Sequence, residues 1–134
     1  VKMSEEELFL LTGSQEPEEG TKELAREGKA LILVSLGAKG AFYRRGDTCG
    51  LLPTYDVKTI DTNGAGDAFF GAILSRLAEL ELSALAALSQ KELEEILSYG
   101  NAAGSITTTR KGSIPALPTE EEIQRCRREI PLLR

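Results

Sequence analysis

Asp61-Thr62-Asn63-Gly64-Ala65-Gly66-Asp67 runs directly into the apolar stretch Ala68 to Leu80, and this junction holds the residues best suited to chemistry. Gly64, Ala65 and Gly66 at a helix start leave backbone N–H groups uncovered. Those orphan donors, with the positive end of the helix dipole, attract a phosphate or a developing negative charge. Asp67 falls inside the same first turn. A carboxylate there can take a proton from a hydroxyl, yet it repels a bound phosphate unless the two act on opposite sides of a transfer reaction. The pairing points to phosphoryl transfer. The plainer alternative is a glycine turn followed by a helix whose first-turn acid merely suits the dipole.

Three further segments carry candidate contacts. Ser35-Leu36-Gly37-Ala38-Lys39-Gly40 follows a strongly apolar run, and a glycine-bounded turn at the carboxyl end of a strand is where open α/β sheets bind ligands, although a hairpin turn reads the same way. It lacks the Walker spacing and the following helix of a dinucleotide fingerprint. Asn101 stands among alanine, glycine and serine, where its amide can reach a base or ribose or simply be satisfied within a helix-packing face. Thr107-Thr108-Thr109-Arg110-Lys111-Gly112-Ser113 reads as a surface loop. Such a loop can ring a cation with carbonyl oxygens if a carboxylate such as Asp61 comes near.

The elements that must position these residues alternate between helix and strand. Ser4 followed by Glu7 matches a capping box, and Gly13 stops the resulting helix after Thr12. Pro17 to Glu27 reads as a second helix, with Leu24 and Ala25 buried and Gly28 as its end. Ala30 to Leu36 fits a strand covered on both faces. Ala41 to Arg44 and Thr48 to Leu52 form a hairpin about Gly46-Asp47, and Tyr55 to Ile60 is extended. The motif helix carries Ala68, Phe69, Ala72, Ile73, Leu77 and Leu80 at helical spacing. Leu82 to Leu88 is a short helix, and Gln90 to Thr107 a longer one with Leu93, Ile96, Leu97 and Ala103 on one face. Gly100 and Gly104 weaken that helix, which calls for close packing or close approach of a ligand. Thr119 opens a last helix, Pro131 stops it, and Leu132 to Arg134 are expected to fray.

Composition narrows the function classes. The 134 residues suffice for one domain without metal or disulfide support. Sixteen basic against 21 acidic residues give a net charge of -5, which argues against non-specific nucleic-acid binding and makes any phosphate site local. No run approaches the roughly 18 apolar residues of a membrane span, and no signal-peptide pattern appears, so a cytosolic (cytoplasmic) protein is expected. Histidine is absent, and Cys49 and Cys126 are far apart. Zinc chemistry and a histidine-based triad are therefore excluded from this chain, and two reduced thiols are expected.

The order DTNGAGD with AFFGA, SLGAKG, NAAGS and TRKGSIP resembles the C-terminal part of the ribokinase-type (PfkB) carbohydrate kinases, most of all their fructokinase branch. The resemblance covers nearly the whole chain. It implies a ribokinase-like three-layer α/β/α fold, of which residues 1–134 are the nucleotide-binding and catalytic-base part. It further implies ATP and magnesium as cofactors and a small sugar, fructose first, as acceptor. By the same resemblance Asp67 is the base, and the amides of Gly64, Ala65 and Gly66 form the anion hole, shaped by Thr62 and Asn63. Ser35, Gly37 and Gly40 lie along the ATP, Asn101 flanks the adenine or ribose, and Glu7 holds magnesium through water. A potassium-type cation maps onto carbonyls at Asp61, Asn63, Thr107, Arg110 and Gly112, with Ala116 where some members have serine.

Two departures matter. Ser4 stands where ribokinases have asparagine, with an acid at Glu7, the form fructokinases often carry. The larger departure is length: the family's N-terminal half, with its sugar-binding glycine pair and lid strands, has no counterpart in residues 1–134. Positioning dominates phosphoryl transfer, so this chain by itself is expected to be a poor kinase. An exposed sheet edge and core face favour a homo-oligomer or pairing with an N-terminal half. Two other readings stay open: a non-catalytic nucleotide-binding or assembly module, and a family kinase for ribose, adenosine or a keto-deoxy sugar acid.

Overall fold

A computed structural model describes residues 1–26, 31–59, 64–80, 87–109 and 118–133. Val1–Pro53 and Thr54–Arg134 form two compact units.

The first unit is a mixed sheet with two helices. Its strands β1 (Lys2–Ser4), β2 (Ile32–Ser35), β3 (Ala41–Arg45) and β4 (Thr48–Leu52) lie in the order β1-β2-β3-β4. β1 runs parallel to β2, and the other neighbours are antiparallel. β2 is the apolar run read as covered on both faces, and Ile32, Leu33 and Val34 are indeed all buried. β1 was not expected. Three residues are too short a run to show strand periodicity, and its pairing partner lies 31 residues on, Met3 opposite Val34.

Helix α1 (Glu5–Thr12) and helix α2 (Pro17–Arg26) join Met3, Ile32, Val34 and Phe42 through Leu8 and Leu24 in one core. The expected capping box closes α1: the Ser4 amide donates to Glu7 Oε1 at 3.1 Å and the Glu7 amide to Ser4 Oγ at 3.2 Å. Gly13 ends the helix in the left-handed conformation, φ 74°. Arg44 is buried in this unit, yet its guanidinium donates to Thr21 Oγ1 at 2.8 Å, to the Glu18 carbonyl at 3.1 Å and to the Gly46 carbonyl at 3.3 Å. Those bonds offset the loss of water around the charge. The β3–β4 turn places positive φ at Gly46 and not at Asp47, as a type II′ turn requires, so the reversed Gly-Asp order is the one this turn needs.

The second unit is helical. Helix α3 (Ala65–Leu77) packs along helix α4 (Gln90–Thr108), which in turn packs on helix α5 (Glu120–Glu129). Tyr55, Tyr99, Ala102, Ala103, Ile106, Ile123 and Cys126 make one core cluster. Capping boxes open α4 at Ser89 and Glu92 and α5 at Thr119 and Glu122. α3 stops at Leu77, short of the expected Leu80, and Ala78 to Leu80 continue only as a turn. The expected helix at Leu82 to Leu88 falls largely on residues outside those described.

The close packing expected at the α4 glycines is present. A Cβ on Gly100 would stand 2.7 Å from Ile73 Cγ1 and 3.0 Å from the Phe69 carbonyl oxygen. The tail departs from expectation. Leu132 forms an antiparallel bridge with Tyr55, the Leu133 amide donates to the Thr54 carbonyl at 2.8 Å, and the Asp56 amide to the Pro131 carbonyl at 2.7 Å. Pro131 ends the helix but its free carbonyl begins a pairing, so Leu132 and Leu133 are held where fraying was expected.

Candidate functional site

Gly64 is the N-cap of α3, in the left-handed conformation (φ 77°, ψ -2°), and among the described residues no side chain caps the helix. Glycine adopts that backbone without strain and contributes no side-chain acceptor. The contrast with α1, α4 and α5 is chemical, because in each of those a serine or threonine oxygen takes a first-turn amide. The first intrahelical bond of α3 is Ala68 N–H to the Gly64 carbonyl at 2.9 Å. The amides of Ala65, Gly66 and Asp67 precede it and have no acceptor inside the helix. Asp67, at the third helical position, is exposed. The structure thus brings Gly64, Ala65, Gly66 and Asp67 together on one helical turn, while Asp61, Thr62 and Asn63 lie outside the described residues.

α4 supports this turn from beneath. A Cβ on Gly104 would stand 3.2 Å from the Ala65 carbonyl oxygen. Asn101 is buried on α4, three residues before Gly104. Thr107 sits in the last turn of the same helix, fully buried, its hydroxyl donating to the Ala103 carbonyl at 2.9 Å. Of the expected cation carbonyls, Thr107 alone is among the described residues; Asp61, Asn63, Arg110 and Gly112 are not, nor is Ala116.

Ser35, Gly37 and Gly40 belong to the first unit. Ser35 ends β2 and its hydroxyl donates to the Met3 carbonyl at 3.4 Å. Gly37 to Lys39 form a single exposed 3₁₀ turn, closed by Gly40 N–H to the Gly37 carbonyl at 3.0 Å. The two glycines are used differently. A Cβ at Gly37 would meet nothing within 4 Å, whereas at Gly40 (φ 99°) it would fall 1.9 Å from the Leu52 carbonyl oxygen. Gly40 is therefore required by the packing of β4, and Gly37 leaves open space above the turn.

Glu7 is exposed, and the amide and hydroxyl of Ser4, with Lys2 adding a smaller attraction, hold its carboxyl below the usual range. No cluster of three or more acidic or cysteine side chains suited to a metal occurs among the described residues. A hydrated magnesium ion does not need one, since it is commonly held by one or two carboxylates together with substrate phosphates. Glu7 fits that modest demand.

A groove of about 440 Å³ begins at Asp67 and continues past Gly71, Ser75 and Arg76 of α3, with Tyr99 of α4 and Glu120 of α5 also lining it. The Arg76 Nη2 donates to Glu120 Oε1 at 2.7 Å, and its Nη1 is 3.9 Å from Glu79 Oε2. Burial pushes the Tyr99 phenol above its ordinary value, opposed by the Arg76 charge. Sequence reasoning passed over Arg76 and Tyr99. A signal was available: Asp67, Gly71, Ser75 and Glu79 recur every four residues, a small or polar stripe on an otherwise apolar helix.

Comparison with known proteins accounts for this set of turns and glycines. Residues 1–120 match the model of the pfkB family carbohydrate kinases. Fructokinase-1 of Oryza sativa subsp. japonica is 47% identical over 124 residues, covering 92% of this chain and 38% of that protein. Among solved structures, the fructokinase of Xylella fastidiosa with bound ATP superposes with a TM-score of 0.86 at 28% identity, over 96% of this chain and 42% of its own. A fructokinase double mutant of Vibrio cholerae O395, in a fructose-, ADP- and potassium-ion-bound form, gives 0.83 at 37% identity, over 94% and 39%. This chain therefore spans about two fifths of the length of these relatives. The fold is α/β and ribokinase-like, and the chain belongs to the pfkB family of carbohydrate kinases.

Proposed function

We propose that residues 1–134 are the nucleotide-binding and base-bearing part of a kinase that transfers the γ-phosphoryl group of ATP to a hydroxyl of a small sugar, fructose first. The observation that carries this reading is the start of α3: a glycine cap without a side-chain acceptor, followed within one turn by an exposed carboxylate. Asp67 takes the proton of the acceptor hydroxyl, and the amides of Gly64, Ala65 and Gly66 hold the phosphoryl oxygens as charge develops on them. Magnesium supplies neutralisation of the β- and γ-phosphates when bound. Ser35, Gly37, Gly40, Thr62, Asn63 and Asn101 line the nucleotide, and Glu7 holds the hydrated metal. The carbonyls at Asp61, Asn63, Thr107, Arg110 and Gly112 hold a monovalent cation. Fructose is favoured as acceptor by the 47% identity to a fructokinase and by the likeness to a fructokinase in a fructose-, ADP- and potassium-ion-bound form.

The test is fructose phosphorylation by the kinase that carries this chain and by its Asp67→Asn form. A fall of at least about 10²-fold in kcat is expected for loss of a general base. Comparable rates would remove Asp67 from the reaction.

A nucleotide-binding module without catalysis is the second reading, since the glycine-capped start of α3 and the open Gly37 turn suit phosphate binding with or without transfer. Calorimetry with ADP on the 134-residue chain, combined with a phosphorylation assay, separates the two. Binding without turnover in every form that contains the chain favours the module.

A further inference from the structure

We propose that Gly104 is a positioning residue: it sets the depth at which the Gly64–Gly66 turn rests on α4, and so the placement of the amides that meet phosphate. The proposal rests on the phosphoryl-binding reading of that turn. α3 and α4 make the most extensive helix contact of the second unit, and α3 approaches the two α4 glycines along one side. Ile73 and Phe69 lie over Gly100, and Phe69 and Ala65 over Gly104.

The two glycines fail differently when given a methyl group. At Gly100 the Cβ would come within 2.7 and 2.9 Å of Ile73 Cγ1 and Cδ1 and 3.0 Å of the Phe69 carbonyl, a contact in the middle of α3 that forces the helices apart. At Gly104 the nearest atom is the Ala65 carbonyl oxygen at 3.2 Å, followed by Phe69 Cβ at 3.6 Å. That oxygen belongs to the main chain of the proposed anion hole, so relief comes from moving the turn by a few tenths of an ångström. No rotamer change can substitute for it. Gly71, the glycine inside α3, would meet nothing within 4 Å. Among the described glycines, Gly104 is the one whose missing side chain faces the backbone of residues 64–66.

Fixed donors stabilise charge only at the distance for which they are arranged, so a displacement too small to disturb folding still weakens them. Alanine also has the higher helix propensity, which offsets the packing strain. Function and stability should therefore separate in Gly104→Ala.

The experiment is a titration of the ¹⁵N-labelled 134-residue chain with inorganic phosphate, following the amides of Gly64, Ala65 and Gly66, beside thermal melts. Saturable shifts at these amides are expected in the wild type. In Gly104→Ala the phosphate affinity should fall by about threefold to tenfold, a tenth or less of what a full ångström of misplacement costs in rate, while the melting temperature holds or rises. Equal affinity in the two forms overturns the proposal. So does a Gly104→Ala chain that has lost its melting transition, because the glycine would then serve packing alone. Wild-type amides that do not respond to phosphate overturn the anion-hole reading itself and the proposal with it, which distinguishes the two failures.

Discussion

The guanidinium carbon of Arg76 lies 4.1 Å from the centre of the Tyr99 ring, joining α3 to α4 across the groove that begins at Asp67. The same side chain reaches Glu120, so three helices meet at one arginine. A cation over a buried ring, with the arginine itself still a quarter exposed, is worth about 0.5–2 kcal/mol. The Glu120 carboxylate is two-thirds exposed, and such a pair adds at most about 1 kcal/mol and less at high salt. Arg76→Ala is expected to lower unfolding stability by about 1 kcal/mol, and Arg76→Lys to recover little of it, because a lysine cannot stack as a planar group. Urea unfolding of the Arg76→Ala/Tyr99→Leu cycle should give a coupling of about 0.5 kcal/mol. Zero coupling would mean that the stacking contributes nothing.

Gly40 offers a sharper test. An alanine there places its methyl group on the Leu52 carbonyl and must also adopt a backbone with φ 99°. Strained backbone of that kind costs about 1–3 kcal/mol before the clash is counted. Gly40→Ala should destabilise the first unit by about 3 kcal/mol or more, whereas Gly37→Ala, with open space around it, should cost about 1 kcal/mol from its φ of 59° alone. Chemical denaturation of the two variants in parallel decides the point, and equal losses would contradict the assigned packing.

Cys126 is buried in the α4–α5 core, and burial pushes its thiol up to about 11 from 9.0. The sign follows from linkage. Between pH 9 and about 11 the unfolded thiol has released its proton and the folded one has not, so stability falls as pH rises through that window. The urea midpoint of the wild type should drop more between pH 8.5 and 10.5 than that of Cys126→Ala. At pH 8, iodoacetamide should modify Cys126 only once the chain is unfolded. Rapid labelling of native Cys126 would show that the thiol is open to solvent.

Local signals in the sequence carried most of the fold. Ser4 with Glu7, Pro17, Gly13 and the Gly46-Asp47 turn each act within a few residues of themselves, and each does in the structure what its chemistry dictates. The apolar run around Ile32 to Val34 was legible for the same reason, since a strand buried on both faces shows no alternation. What escaped depended on partners remote in sequence. β1 is defined by its pairing with β2, and Leu132 and Leu133 are held by Thr54 and Tyr55. At the candidate site, Gly64 to Asp67 could be read because a helix start is local. Arg76 and Tyr99 could not, because their relation exists only once α3 lies on α4. The glycines of α4 fall between these cases: the sequence shows that they weaken a helix, and the structure shows which atoms need the space.

The pairing of Thr54 to Asp56 with Pro131 to Leu133 bears on the order in which the chain is built at the ribosome. All four strands of the first unit find their partners within residues Val1–Pro53 and can associate while the rest is being synthesised. The segment that leads into the DTNGAGD motif is tied first to α4, where the Ser105 hydroxyl accepts from the Tyr55 amide at 3.3 Å, and gains its second tie only when the Leu133 amide reaches the Thr54 carbonyl. Domains fold as units during synthesis, and this late pairing closes a few residues before the motif on which the proposed chemistry depends.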